Sequence, residues 1–131
     1  MCGITGFNWN NKKLISKLTN SISHRGPDSQ GIYTNPDISL GHRRLSILDL
    51  SKLGNQPMFS KNKKHSIIFN GEIFNYVNLR NDLINKGYIF KSKTDTEVLL
   101  NLYIEYGKKC LKKLNGQFSF CIYDSKRNEL F

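Results

Sequence analysis

Along this chain, apolar residues switch between strand-like and helix-like spacing, and the switching predicts a mixed α/β fold. Residues 2–9 read as an apolar opening strand. In 13–23, Leu14, Ile15, Leu18 and Ile22 recur on one face and predict a short helix. Turn-forming residues fill 23–29, and 31–34 and 38–44 read as strands joined at Asn35-Pro36-Asp37. The stretch 49–58 reads as an irregular loop, punctuated by Gly54, Asn55 and Pro57. A strand over 65–69 is expected to end at Asn70-Gly71, and a helix over 76–86 to stop at Gly87. Thr94-Asp95-Thr96-Glu97 has the form of a capping box before a helix through Tyr106, with a further helical turn over 110–114. In 117–124, Phe118, Phe120 and Ile122 alternate with Ser119, Cys121 and Tyr123. Apolar groups on both faces predict a sheet covered on both sides. Residues 125–128 read as a hairpin turn and 129–131 as the start of a return strand. A strand that short is a poor partner for the one before it, so the pattern reads as a domain cut short.

Composition narrows the class. At 131 residues with 38% hydrophobic and 11% aromatic content, the chain is one globular domain or most of one. No apolar run approaches the ~18 residues of a membrane span, and no charged-then-apolar leader precedes Cys2, so a cytoplasmic protein with no membrane partner is expected. Cys2, Cys110 and Cys121 are odd in number and irregularly spaced, which argues against a disulfide framework and a zinc site. The net charge of +10 raises nucleic acid as a partner. It comes from short scattered lysine runs at 12–13, 61–64, 108–109 and 112–113, with no recognition helix or aromatic RNA-binding signature. A solvated lysine-rich surface accounts for it better, with an acidic protein partner as the next reading.

The second residue brings in candidate chemistry. Removal of Met1 would leave Cys2 with a free α-amine beside its own thiol. A thiol titrates near ~8.5 and an α-amine near ~7.7–8.0, so the amine can take the thiol proton at neutral pH. N-terminal nucleophiles of this kind perform acyl transfer. On these two residues alone, an incidental buried thiol explains Cys2 better.

Ordered blocks further along decide between those readings. Met1-Cys2-Gly3-Ile4-Thr5-Gly6-Phe7 resembles the start of the class II glutamine amidotransferases. His24-Arg25-Gly26-Pro27-Asp28, Gly41-His42-Arg43-Arg44-Leu45-Ser46-Ile47-Leu48-Asp49 and Asn55-Gln56-Pro57-Met58 resemble the asparagine synthetase branch of that family. Phe69-Asn70-Gly71-Glu72-Ile73, Thr94-Asp95-Thr96-Glu97 and Asn115-Gly116 with Phe118-Ser119-Phe120 do so too. Sister branches tend to carry Tyr (fructose-6-phosphate amidotransferases) or Gln (phosphoribosyl amidotransferases) after His-Arg-Gly, where this chain has Pro27.

The resemblance implies an α/β (α+β) fold of the N-terminal-nucleophile type, a four-layer αββα sandwich of mainly antiparallel sheets. Residues 1–131 would form a partial glutaminase domain, incomplete at the C-terminus, with the synthetase domain absent. The implied activity is hydrolysis of glutamine to glutamate and ammonia through a Cys2 thioester. Asn70 and Gly71 would hold the oxyanion, Arg44 the substrate α-carboxylate, and Asp95 with Glu72 the α-ammonium. Leu45, Ile47 and Leu48 would line the glutamine pocket, partly through backbone atoms. Each has a plainer reading: Asn70-Gly71 as a hairpin turn, Arg44 as a solvated strand charge, Asp95 as a first-turn helix acid, the three apolar residues as core. His24 and Arg25 are expected to shape the site, His42 and His65 to be structural or exposed, and Arg43 to lie on the surface. No metal or cofactor is expected in this chain. ATP and Mg²⁺ would belong to the synthetase domain or to a separate chain that amidates aspartate. Other acceptors, such as the carboxylate of a surface-polysaccharide sugar, stay open, as do a homodimer and a non-catalytic fragment.

Overall fold

The computed structural model describes residues 2–131, and the expected loss of Met1 lies outside them. Strand β1 (Gly3–Phe7) leads to helix α1 (Lys12–Ser21), then strands β2 (Ser29–Thr34) and β3 (Ser39–Arg44). A two-residue strand β4 (Met58–Phe59) precedes the long β5 (His65–Ile73). Helices α2 (Tyr76–Asn85) and α3 (Asp95–Tyr106) follow, then a 3-10 stretch (Gly107–Lys113), β6 (Gly116–Asp124) and β7 (Glu129–Leu130). The strands form two antiparallel sheets, β1-β3-β2 and β4-β5-β6-β7.

Alternation along the strands explains the layering. Ile38, Leu40, Ile68 and Tyr123 meet between the two sheets, with Ile4, Tyr33 and Cys121 around them. The other face of the second sheet presents Ile67, Phe69, Ile73 and Ile122 to Leu79 and Leu83 of α2 and to Val98, Leu99, Leu102 and Tyr103 of α3. Phe118 and Phe120 pack on that side as well. Helix α1 lies against β1 and β3. The order through the molecule is therefore α1, sheet, sheet, then α2 and α3.

Five elements depart from expectation. β2 begins at Ser29 rather than 31, and β4 forms at the end of the stretch expected to be an irregular loop. β1 covers residues 3–7 rather than 2–9. Helix α1 buries Ile15 and Thr19, while Leu18 is exposed. Thr19 can turn inward because its hydroxyl donates to the Ile15 carbonyl at 2.6 Å. β5 does not stop at Asn70-Gly71 but runs on to Ile73, with Asn70 opposite Ser119 and Gly71 opposite Phe118. Long-range pairing with β6 overrides the local turn preference of Asn-Gly. The register also demands the glycine: Gly71 has φ +155°, and a Cβ there would stand 2.2 Å from the Gln117 carbonyl oxygen.

Arg43 is not a free surface charge. It is half-buried, donating from Nε to the Thr19 carbonyl at 3.1 Å and from Nη2 to Asn20 Oδ1 at 2.7 Å. A cation is thus placed on the last turn of α1, where carbonyls lack helical partners.

Candidate active site

The open edge of β5 is the floor of the site. His65, Phe69 and Ile73 all turn main-chain groups away from β6: the His65 carbonyl accepts from Ser60 N–H, Phe69 N–H donates to Gln56 Oε1 at 2.6 Å, and Ile73 N–H donates to Asp95 Oδ2 at 3.0 Å. Main-chain direction repeats every two residues in a strand, so Gly71 N–H faces the same edge, between two satisfied neighbours. Strand β4 covers that edge only opposite Ser66 and Ile67.

One wall is the loop after β3. Arg44 shares parity with Leu40 and His42 and is 5% exposed. Its Nη1 donates to the Ser51 carbonyl at 2.7 Å and to Asn55 Oδ1 at 2.9 Å, and its Nη2 donates to the Asp49 carbonyl. Gly54 makes room for the guanidinium, since a Cβ there would sit 2.2 Å from Nη2. Of the five Arg donors, Nε–H and one Nη2–H have no partner among the described residues, which leaves a donor pair for a carboxylate.

The facing wall is the start of α3. Thr94 caps the helix, accepting from Glu97 N–H at 3.3 Å. The Glu97 carboxylate does not complete the box on Thr94 N–H. It accepts instead from Lys91 N–H at 2.9 Å and Ser92 N–H at 2.6 Å, while Ser92 Oγ accepts from Thr94 N–H. Asp95, 5% exposed, is held by Ile73 N–H. Burial pushes its carboxyl above the usual range, and the nearby Glu72 charge adds to the rise, against the lowering by the Ile73 N–H. A buried acid without a side-chain cation at its side is suited to receive one from a ligand.

Cys2 closes the ring. Its half-buried Sγ accepts from Leu45 N–H at 3.4 Å and lies 3.6 Å from the Leu45 carbonyl. Arg25 Nε donates to the Cys2 carbonyl at 3.0 Å and so holds the Cys2 backbone, while His24 is exposed. These elements enclose a cavity of about 180 Å³, below the ~300 Å³ at which drug-sized pockets begin and so suited to a ligand of amino-acid size. Cys2, Arg44, Leu45, Ile47, Leu48, Gly71, Glu72 and Asp95 all line it. Ile47 and Leu48 do so from the rim, at 62% and 42% exposure, and are not core.

Asn70 is the expected site residue that does not line the cavity, although Phe69 and Gly71 on either side of it do. It is half-buried, and its Oδ1 is enclosed without a hydrogen-bond partner among the described residues. Lining residues to which the sequence assigned no role in the site include Gln56, Phe74, Tyr76, Thr94 and Thr96. Gln56 is the most consequential. Its buried amide accepts from Phe69 N–H and donates to Thr96 Oγ1 at 3.2 Å, tying β5 to α3 beneath the pocket. Its place in the Asn55-Gln56-Pro57-Met58 block was the available signal.

His42 is structural: 1% exposed, it bridges the sheets through Nε2 to the Phe69 carbonyl at 3.1 Å. Burial lowers its pKa to about 4, so the ring is neutral and Nε2 carries the donated proton. Among the described residues, no group of three or more His, Cys, Asp or Glu side chains is arranged to hold a metal ion, and no helix is long and apolar enough to cross a membrane.

Comparison with known proteins identifies the family. The model of the glutamine amidotransferase domain family matches residues 1–131. The glutamine-hydrolyzing asparagine synthetases 3 and 1 of Bacillus subtilis are 40% and 41% identical to the chain over 139 residues. Each match covers all of this chain and 22% of the relative, so the chain spans under a quarter of the length of these proteins. Among solved structures, the glutamine phosphoribosylpyrophosphate amidotransferase of B. subtilis superposes with a TM-score of 0.77, at 21% identity, over 95% of this chain and 35% of that one. That match shows a shared fold. The family match, over the whole chain, establishes that this chain belongs to the glutamine amidotransferase domain family.

Proposed function

We propose that the cavity hydrolyses the side-chain amide of glutamine to glutamate and ammonia, with Cys2 as nucleophile on a four-layer N-terminal-nucleophile sandwich. The observation that carries this reading is convergence. A thiol, a strand-edge N–H, a guanidinium with two donors to spare and a buried carboxylate come from four separate segments to one cavity of amino-acid size. The donor pair of Arg44 suits an α-carboxylate, and Asp95 an α-ammonium, with Glu72 adding negative charge at the mouth.

The Sγ of Cys2 attacks the amide carbonyl carbon, and the Cys2 α-amine, freed by loss of Met1, takes the thiol proton. Negative charge develops on the carbonyl oxygen, where Gly71 N–H and the Asn70 amide are the donors. The α-ammonium returns its proton to the leaving nitrogen, ammonia departs, and water hydrolyses the thioester to release glutamate and the thiol.

In this reading the protein is cytoplasmic. The ammonia serves a synthetase domain, or a separate chain, that amidates aspartate with ATP and Mg²⁺. The acceptor is chosen outside residues 1–131.

The test is intact-mass analysis after incubation with a glutamine analogue carrying a chloromethyl ketone in place of the amide. The expected product is a chain lacking Met1 and carrying one adduct, absent in Cys2→Ser. A processed, folded chain that neither labels nor releases ammonia from glutamine would refute the proposal.

A further inference from the structure

Besides Gln56, a second side chain, outside the residues that line the cavity, joins its two walls. Asp49 lies in the loop that follows Arg44, just past Leu48. Its Oδ1 accepts from Ser51 N–H at 2.8 Å, a local turn that needs only one oxygen. Its Oδ2 reaches across to accept from Lys93 N–H at 2.9 Å, and its carbonyl accepts from Arg44 Nη2. Lys93 directly precedes the cap residue Thr94 and Asp95. One residue thus touches the guanidinium on one wall and the segment bearing the buried carboxylate on the other.

We propose that Asp49 is a positioning residue, a strap that sets the separation between Arg44 and Asp95 and so the fit of an amino-acid ligand between them. The proposal rests on the glutaminase reading for its ligand.

Two features argue for positioning over bulk stability. The bond to Lys93 is at the surface, where a single hydrogen bond adds little to the fold. The buried crossing from Gln56 to Thr96 already ties the same loop region to α3. What the surface strap adds is a second point of attachment, at the rim, which stops the loop from pivoting about the first. The Lys93 N–H, followed by Ser51, holds the Asp49 carboxyl down to about 2, so the strap stays closed throughout the pH range in which such an enzyme works.

The experiment uses the whole chain and compares Asp49→Ala and Asp49→Asn with the parent. Glutamine kcat and KM are measured between pH 6 and 9, with hydrogen exchange at the Lys93 amide and the rate of Cys2 alkylation by iodoacetamide. Asp49→Asn keeps one oxygen for Ser51 but presents no second acceptor to Lys93, so it opens the strap while sparing the turn. Both variants should raise KM by about ten- to a hundredfold with kcat changed by less than ~3-fold. Lys93 exchange should quicken, iodoacetamide alkylation should be unchanged, and the KM ratio should be flat with pH. Faster Lys93 exchange with unaltered KM would overturn the proposal. So would equal losses in kcat, alkylation and melting temperature in both variants, the mark of a purely structural residue. A parent chain that hydrolyses no glutamine would instead sink the glutaminase reading, so the two failures are distinct.

Discussion

Asn70 and Gly71 sit side by side and depend on different physics. Gly71 is fixed by backbone: its φ and the nearness of the Gln117 carbonyl exclude any side chain, and strand periodicity aims its N–H at the cavity. Asn70 shares the face of Ile68 toward the other sheet, and its oxygen has no partner among the described residues. If the pair forms the oxyanion site, Asn70→Ala removes a donor used in the transition state but little ground-state binding. Steady-state kinetics should then show kcat lowered by about 10²–10³ with KM nearly unchanged. A rise in KM alone would assign Asn70 to binding. The residue types were legible in the sequence because the blocks around them are distinctive. The geometry was not, because Asn-Gly has a strong local turn preference and only pairing along all of β6 suppresses it. Arg43 and Arg44 show the same limit. Strand alternation separated them correctly to opposite faces, but the carbonyls of α1 that engage Arg43 are set by packing.

Among the elements, α3 links local sequence to the site most directly. Its start was readable from Thr94 and Glu97, since a side-chain acceptor is needed for the free N–H groups of the first turn. Half of the expected box forms. Glu97 instead fastens the turn before the helix, so 91–94 is held by α3 from one side and by Asp49 from the other. Thr94→Ala should cost about 1 kcal/mol, seen as a fall of a few degrees in melting temperature. It should also raise the glutamine KM several-fold by loosening Asp95, and Thr94→Ser should restore both. A melting change without a KM change would show that the cap serves the helix alone. The same scale explains the misread face of α1. Leu18 is apolar, but Gly41 of β3 leaves room for the Thr19 hydroxyl, which also has a carbonyl within its own helix to satisfy it, so Thr19 joins Ile15 on the buried face.

Across the whole molecule, His42 joins the sheets and carries a pH dependence. Its folded pKa of about 4 lies below the ordinary 6.5, so below 6.5 the unfolded chain binds more protons. Its contribution is complete above pH ~6.5 and is lost as the pH falls through ~4, at a cost of about 3 kcal/mol. Urea unfolding at pH 7, 5.5 and 4 should therefore show a smaller acid-side loss of stability in His42→Gln than in the parent. Equal losses would place the acid sensitivity elsewhere.

The sequence by itself determined what local physics can specify: the alternating faces of β6, the cap of α3, the helices and the longer strands, and the residue types that carry the chemistry. Tertiary structure decided the rest. It extended β5 past Asn70-Gly71, turned Thr19 rather than Leu18 of α1 inward, linked Gln56 to Thr96 and Asp49 to Lys93, and brought Cys2 beside Leu45. The physical reason is common to all of these. Each depends on a contact between residues far apart in the chain, and such contacts are fixed by packing and pairing after the chain has closed on itself, which no local periodicity encodes.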